Sequence, residues 1–179
     1  MTTEIFIDIE NTIIDDLFSM NLMHVQVNNI RNWLSDYADA KVNLFTWGWK
    51  THEEIDQNIV NWLFNVLEVP AKNRGVVWTK DDSINCAFNN KWVNTTDEIE
   101  LEDLHIPGAM KRFGMEKPVC FIQQCKDMIG FDTRCDNTDA WQFILIDDLN
   151  PQGFVDERRI TQLNHNVEMN VMFLNPADL

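Results

Sequence analysis

Apolar positions along the chain fall into short dense runs, separated by longer stretches in which they recur at helical spacing. The runs Glu4 to Ile9, Val42 to Thr46, Gly75 to Thr79 and Trp141 to Ile146 are rich in β-branched and aromatic residues, and each predicts a strand. Between the first two, Asp15 to Ala40 carries Leu17, Met20, Leu22, Met23, Val27, Ile30, Trp33, Leu34 and Tyr37 at largely helical intervals, broken around Val25 to Val27, and predicts a helix of several turns. His52 to Leu67 predicts a second helix, with Ile55, Ile59, Val60, Leu63, Phe64 and Leu67 on one face and Pro70 beyond its end. A third starts at Pro118, a residue suited to a first helical turn, and runs through Phe121, Ile122 and Cys125. Asp156 to Leu163 predicts a short helix, and Val171 to Leu174 a last short strand. From Lys80 to Met115 no period holds and Ile106-Pro107-Gly108 marks a turn, so 81–115 reads as an irregular insert and the only candidate for a small cap. Apolar strands alternating with helices predict an α/β fold: one domain over 1–179, with a three-layer, doubly wound, mostly parallel sheet covered on both faces.

Composition narrows the partners. The chain has 179 residues, 14 basic against 29 acidic, and a formal charge of -15. With no basic cluster, binding to a long nucleic-acid backbone is disfavoured, and a small substrate, a metal ion, a basic protein or a second copy of the chain fits better. No apolar run approaches the ~20 residues of a membrane span, and the first apolar segment lacks the basic flank and length of a signal peptide, so a cytoplasmic protein is expected. Cys86, Cys120, Cys125 and Cys135 show no CxxC spacing and no histidine partners at finger-like distances, which argues against zinc.

Candidate chemistry lies where the strands end. The stretch IFIDIENTIID carries an apolar strand straight into Asp8, Glu10 and Thr12; NLFTWGW places Thr46 after the second strand; FILIDDLNP ends the fourth in Asp147 and Asp148. In open parallel sheets ligands bind beyond the carboxyl ends of the strands. Carboxylates converging on one such edge repel each other, and a hard divalent cation relieves that repulsion; oxygen-only ligands favour Mg²⁺ over zinc. Trp47 and Trp49 flank Thr46 and face the same edge as pocket candidates, whereas Trp33, Trp62 and Trp141 read as core. His24, His52, His105 and His165 read as isolated, without a Cys or Ser triad.

In their order and spacing these residues resemble the haloacid dehalogenase-like superfamily, mainly phosphohydrolases, over roughly residues 4 to 154. Asp8-Ile9-Glu10-Asn11-Thr12 is similar to its first motif except that Glu10 replaces an aspartate; Thr46 resembles the second, Lys117-Pro118 the third, and Asp147-Asp148 the fourth. The resemblance implies a HAD-like Rossmannoid fold of small- or no-cap type. It further implies that Asp8 is a nucleophile forming an aspartyl-phosphate, that Glu10 stands in the acid/base position, and that Thr46 binds a phosphoryl oxygen while Lys117 neutralises charge. Mg²⁺ would be held by Asp8, the Glu10 backbone carbonyl and Asp147, with Asp148 assisting. Thr12 would cap or brace the loop. With so little room for a cap, a nucleotide, a phosphorylated end or a phosphoprotein is the implied kind of phosphorylated substrate.

Several readings stay open on the sequence. Lys126 and Lys80 compete with Lys117 for the third motif, and Thr46 reads equally as a plain strand-edge hydroxyl. Three functions remain: a Mg²⁺-dependent phosphomonoesterase, a HAD-like scaffold impaired by Glu10 and kept as an acidic interaction protein, and a PIN/NYN-type metal nuclease, whose first strand also ends in Asp with Asn following.

Overall fold

The sheet owes its order to how the apolar runs pair. A computed structural model of the chain describes residues 1–89, 104–105, 110, 115–131, 140–148, 155–162 and 165–179. Ten main elements follow in sequence: β1 (Thr2–Ile7), α1 (His24–Leu34), β2 (Lys41–Phe45), α2 (Gln57–Val66), β3 (Arg74–Trp78), α3 (Lys80–Asn89), α4 (Lys117–Phe131), β4 (Ala140–Ile146), β5 (Val155–Gln162) and β6 (His165–Leu174). The strands form one six-stranded sheet in the order β3-β2-β1-β4-β6-β5. Five run parallel, and β5 pairs antiparallel with β6 at the edge. Among the described residues no helix is long and apolar enough to cross a membrane.

Strand alternation divides the core in two. Ile5, Ile7, Val42, Leu44, Ile144 and Ile146 pack with Val27 and Ile30 of α1 and Val60, Leu63 and Phe64 of α2. Phe6, Phe45, Phe143, Leu145, Val171 and Phe173 point the other way and pack with Phe121, Cys125 and Ile129 of α4. Helices thus cover both faces of a mostly parallel sheet, as the near-continuous apolar strands require.

Three expectations differ from the structure. The helix expected from Asp15 is only α1, and residues 10–23 are instead a compact loop with short bridges, Glu10 to Ile14 and Ile14 to Leu22. Side chains divert the backbone there. Asp15 accepts from the Asp16 and Asn21 N–H groups, the Ser19 hydroxyl and the Asn21 amide, while Asp16 accepts from the Phe18 and Ser19 N–H groups. These bonds give the backbone an alternative to the helical ladder, and Asn11 and Met20 sit at positive φ of 58° and 56°. The Asn21 amide, with other donors, pulls the Asp15 carboxyl down to about 2. The second difference is β5, expected as a helix over Asp156 to Leu163. Its run Asp156-Glu157-Arg158-Arg159 hides the apolar signature of a strand, but an edge strand needs only one paired side and tolerates charge well. The third is that the insert expected from residue 81 opens with α3, which packs Ile84 and Ala87 against Cys120 of α4. The remainder of that insert, apart from Leu104, His105, Met110 and Met115, lies outside the described residues, as does Cys135.

One buried polar side chain ties three strands together. In the middle of β2, Asn43 donates to the Glu4 carboxylate at 2.9 Å and to the Ile5 carbonyl at 3.2 Å, and accepts the Val76 N–H at 2.9 Å. The β2–β3 register shifts at this point, and a Cβ on Gly75 would lie 1.9 Å from the Asn43 Oδ1, so only glycine fits opposite. Asn43→Ala strands a β3 N–H and removes a donor from a buried carboxylate. A loss of about 2–3 kcal/mol in urea unfolding is expected, with the denaturant slope unchanged.

Candidate functional site

Register alone brings two aspartates together. Ile7 of β1 pairs with Ile146 of β4, so the next residues, Asp8 and Asp147, leave the sheet side by side. The ladder holds one step further: the Asp8 N–H donates to the Ile146 carbonyl at 2.9 Å, and the Asp147 N–H to the Leu174 carbonyl at 3.0 Å. Continued alternation turns both side chains toward the face covered by α4. Lys117 opens that helix, and its ammonium donates to Asp8 Oδ1 and lies 2.7 Å from Asp147 Oδ2, with the Phe45 ring 5.2 Å below it. Lys117, rather than Lys80 or Lys126, is therefore the lysine that meets the aspartates.

Thr12 braces the pair. Its hydroxyl donates to Asp8 Oδ2 at 3.2 Å and accepts the Asp148 N–H at 3.3 Å, linking the loop after β1 to the loop after β4. Asp8, Asp147 and Asp148 each present a carboxylate oxygen, and these oxygens all lie within 4.8 Å of one another. Asp8 and Asp147 are almost fully buried.

The charges do not balance within this group. Burial, against the attraction of Lys117 and with repulsion from Asp147 and Glu10, raises the Asp8 carboxyl to about 7. Burial and then Asp147 raise Asp148 to about 6. Lys117 moves above the usual lysine range: burial opposes its charge, but Asp8 and Asp147 outweigh it. Among the described residues one ammonium faces three carboxylates and cannot neutralise them all, which favours protonation or a bound cation. Three hard oxygen donors suit a divalent metal of the Mg²⁺ kind.

This imbalance makes stability depend on pH. The folded chain holds the Asp8 and Asp148 protons more tightly than the unfolded chain does. Their stabilising contribution is complete below the ordinary carboxyl range and is lost as pH rises through about 6 and then about 7. In chelator, thermal unfolding at pH 8 is expected several degrees below that at pH 5. At matched ionic strength Mg²⁺ should recover most of the deficit at pH 8 and little at pH 5, because metal and protons compete for the same oxygens.

Glu10 stands apart from the three aspartates. The Thr46 hydroxyl lies 3.0 and 2.9 Å from its two carboxylate oxygens, and the Thr46 oxygen accepts the Gly48 N–H at 2.9 Å. A hydroxyl has one proton to donate, so Thr46 serves Glu10 here and would have to release it to bind another anion. The extra methylene of glutamate fits because residue 48 has no side chain: a Cβ there would lie 1.6 Å from Glu10 Oε1 and 2.9 Å from the Leu17 side chain. Gly48→Ala should dislodge Glu10 from Thr46 at a cost of about 1 kcal/mol. In a Glu10→Asp background, where the carboxylate no longer reaches, the same change should cost less, only the flexible end of Leu17 having to give way. A double-mutant cycle by urea unfolding reads the difference, and additive values would contradict the pairing.

Other expected residues fall less centrally. Trp49 is buried and packs in the core with residues of α1 and α2. Trp47 is half-buried, and its ring N–H donates to Ser83 Oγ at 3.1 Å. Trp141 lies in the core on the α4 face, and Trp33 and Trp62 pack partly buried against the core on the face covered by α1 and α2. Two histidines expected to be isolated have acidic partners: His52 meets Asp82 at 2.8 Å and His105 meets Asp81 at 2.9 Å. Cys86, Cys120 and Cys125 are reduced thiols, Cys86 Sγ donates to Asp127 Oδ2 at 3.2 Å, and burial pushes Cys120 up to about 12. The roles of Gly48 and of the Glu10–Thr46 contact had no signal in the sequence, because they arise from the fit of two loops. Scans of this chain against protein-family models, curated proteins and solved structures return no match.

Proposed function

We propose that this is a Mg²⁺-dependent phosphohydrolase of the haloacid dehalogenase-like type, with a HAD-like three-layer fold, acting on a phosphomonoester through an aspartyl-phosphate on Asp8. The observation that carries the reading is Lys117 between Asp8 and Asp147. Three chain segments far apart in sequence meet there, the lysine that arrives is the one before β4, and Thr46 reaches the loop after β1 through Glu10. Mg²⁺ would be held by Asp8 and Asp147 with Asp148 beside them, and would supply charge neutralisation for the transferring group.

Asp8 then attacks phosphorus, and the bond to the leaving oxygen breaks as the Asp8–phosphorus bond forms. Its buried position excludes competing water, and the Thr12 hydroxyl fixes the orientation of its second oxygen. Lys117 favours the ionised form of Asp8 against the effect of burial and faces the negative charge of the transferring group. Thr46, once free of Glu10, donates to a phosphoryl oxygen. Glu10, released in the same movement, takes up a proton from solvent and passes it to the leaving oxygen, and the carboxylate so formed later takes one from the water that hydrolyses the acyl-phosphate.

Incubation with p-nitrophenyl phosphate and a nucleotide panel, with Mg²⁺ or with chelator, tests the reading. Metal-dependent release of phosphate is expected, and its absence with every substrate would sink the proposal. A second reading, an acidic HAD-like interaction protein without turnover, is favoured by one observation: Glu10 occupies the Thr46 hydroxyl. It predicts no turnover even in Glu10→Asp, whereas the first predicts activity at least equal to that of the parent chain.

A further inference from the structure

Two lysines stand together where the loops after β2 and β3 meet. The Lys80 N–H donates to the Trp49 carbonyl at 3.3 Å, and the Asp81 N–H to the Lys50 carbonyl at 2.8 Å, so two backbone bonds clamp residues 49–50 against 80–81. The Lys80 ammonium lies 5.9 Å over the Trp47 ring, and Trp47 directly follows Thr46. Both lysines therefore sit on the carboxyl edge of the sheet, the edge from which Asp8 and Thr46 emerge.

In a chain with 29 acidic and 14 basic residues, lysines usually have acidic company. Among the described residues neither of these ammoniums has a carboxylate within ion-pair distance, although acids lie close in sequence. Those acids face elsewhere. Asp81 meets His105, Asp82 takes His52 and the Thr79 N–H, and Glu54 accepts the Lys50 and Thr51 N–H groups. Partial burial, followed by the charge of Lys50, holds Lys80 below the ordinary lysine range, which agrees with two cations close together. An anion placed between them relieves that repulsion and gains from the partly desolvated ammonium.

We propose that Lys50 and Lys80, with Trp47 beneath the second, form a subsite for a further phosphoryl group of the substrate. The site would then act on small molecules carrying two phosphoryl groups, one transferred at Asp8 and one held at the lysines. This rests on the phosphoryl-transfer reading of Asp8. It also fits the acidic surface: a local cationic pair selects a compact dianion, while the surrounding charge repels a long polyanion.

Calorimetry with non-hydrolysable probes separates the two claims. Alkane bisphosphonates of increasing chain length are titrated into the full chain in Mg²⁺, beside alkylphosphonates of matched length. At least one bisphosphonate should bind about tenfold or more tighter than its partner, a ratio that Lys50→Met/Lys80→Met should bring near one. Lys41→Met/Lys72→Met removes the same charge at the opposite end of the strands, where Lys41 Nζ donates to the Lys72 carbonyl, and should keep the ratio. A ratio near one at every length, a ratio surviving in Lys50→Met/Lys80→Met, or an equal fall in both double variants would overturn the subsite. Turnover of p-nitrophenyl phosphate, which has one phosphoryl group, bears on the Asp8 reading alone.

Discussion

Asp8→Asn is expected to remove at least about a thousandfold of the proposed phosphatase turnover and, at pH 8 in chelator, to raise the unfolding temperature. The two effects have one cause. An amide is nearly isosteric with the carboxyl but carries no charge and no nucleophilic oxygen. Burial presses the Asp8 carboxyl up to about 7, so at pH 8 the folded chain bears an ionised group that the fold disfavours. Removing it leaves Lys117 still paired with Asp147 at 2.7 Å, so no buried cation is orphaned. At pH 5, where Asp8 already holds its proton in the folded chain, the gain in stability should shrink. Activity assays beside thermal unfolding at both pH values check the pair of outcomes. Loss of activity together with loss of stability at pH 8 would mean that Asp8 is a structural residue.

Lys117→Met produces the opposite balance. The methionine fills the space of the lysine stem above Phe45 but takes from Asp8 and Asp147 the ammonium that lies between them. Removing one partner from a buried ion pair costs about 3–5 kcal/mol, here limited because the carboxyls can take up protons instead. The expected loss is therefore greatest at pH 8 in chelator and smaller at pH 5. Mg²⁺ should restore part of it, since a cation at the carboxylates replaces some of the missing charge. On the proposed reading turnover should fall by about a hundredfold or more even where the protein is fully folded, because the charge that would face the transferring group is gone. Urea unfolding with and without Mg²⁺ measures the first effect, and initial rates at saturating Mg²⁺ measure the second. The two variants therefore form a contrast: one removes excess negative charge and the other exposes it.

Much of this arrangement is legible in the sequence because strands and their ends obey simple rules. The apolar runs place β1 to β4 within a few residues, and the polar residues that close them place Asp8, Thr46, Asp147 and Asp148 on one edge. Parallel pairing with Ile7 beside Ile146 then does the rest. What the sequence hides depends on competition between signals. Leu17, Met20 and Leu22 have helical spacing, yet Asp15 and Asp16 win by capturing neighbouring N–H groups, and the chain stays a loop. In β5 four successive charges mask a strand that is defined only by its partner β6. Lys117 is ambiguous in sequence because one lysine resembles another; its selection comes from α4 covering the face to which Asp8 and Asp147 turn. The contact between Glu10 and Thr46 depends on an empty space at Gly48, which no pattern of residue types records.

That contact also sharpens the meaning of the glutamate. On the proposed reading a phosphoryl oxygen would compete with its carboxylate for the single Thr46 proton, so substrate binding would move Glu10. Glutamate is thus accommodated by the fold rather than forced upon it, with Gly48 as the matching residue.

The most direct measurement is a crystal structure of the chain with Mg²⁺ and beryllofluoride, which mimics a phosphorylated carboxylate. The account predicts beryllium bonded to an Asp8 oxygen, with Lys117 and Thr46 on the fluorines, Glu10 withdrawn from Thr46, and Mg²⁺ on Asp8 and Asp147. An Asp8 left bare under saturating beryllofluoride and Mg²⁺, with Glu10 still on Thr46, would contradict it.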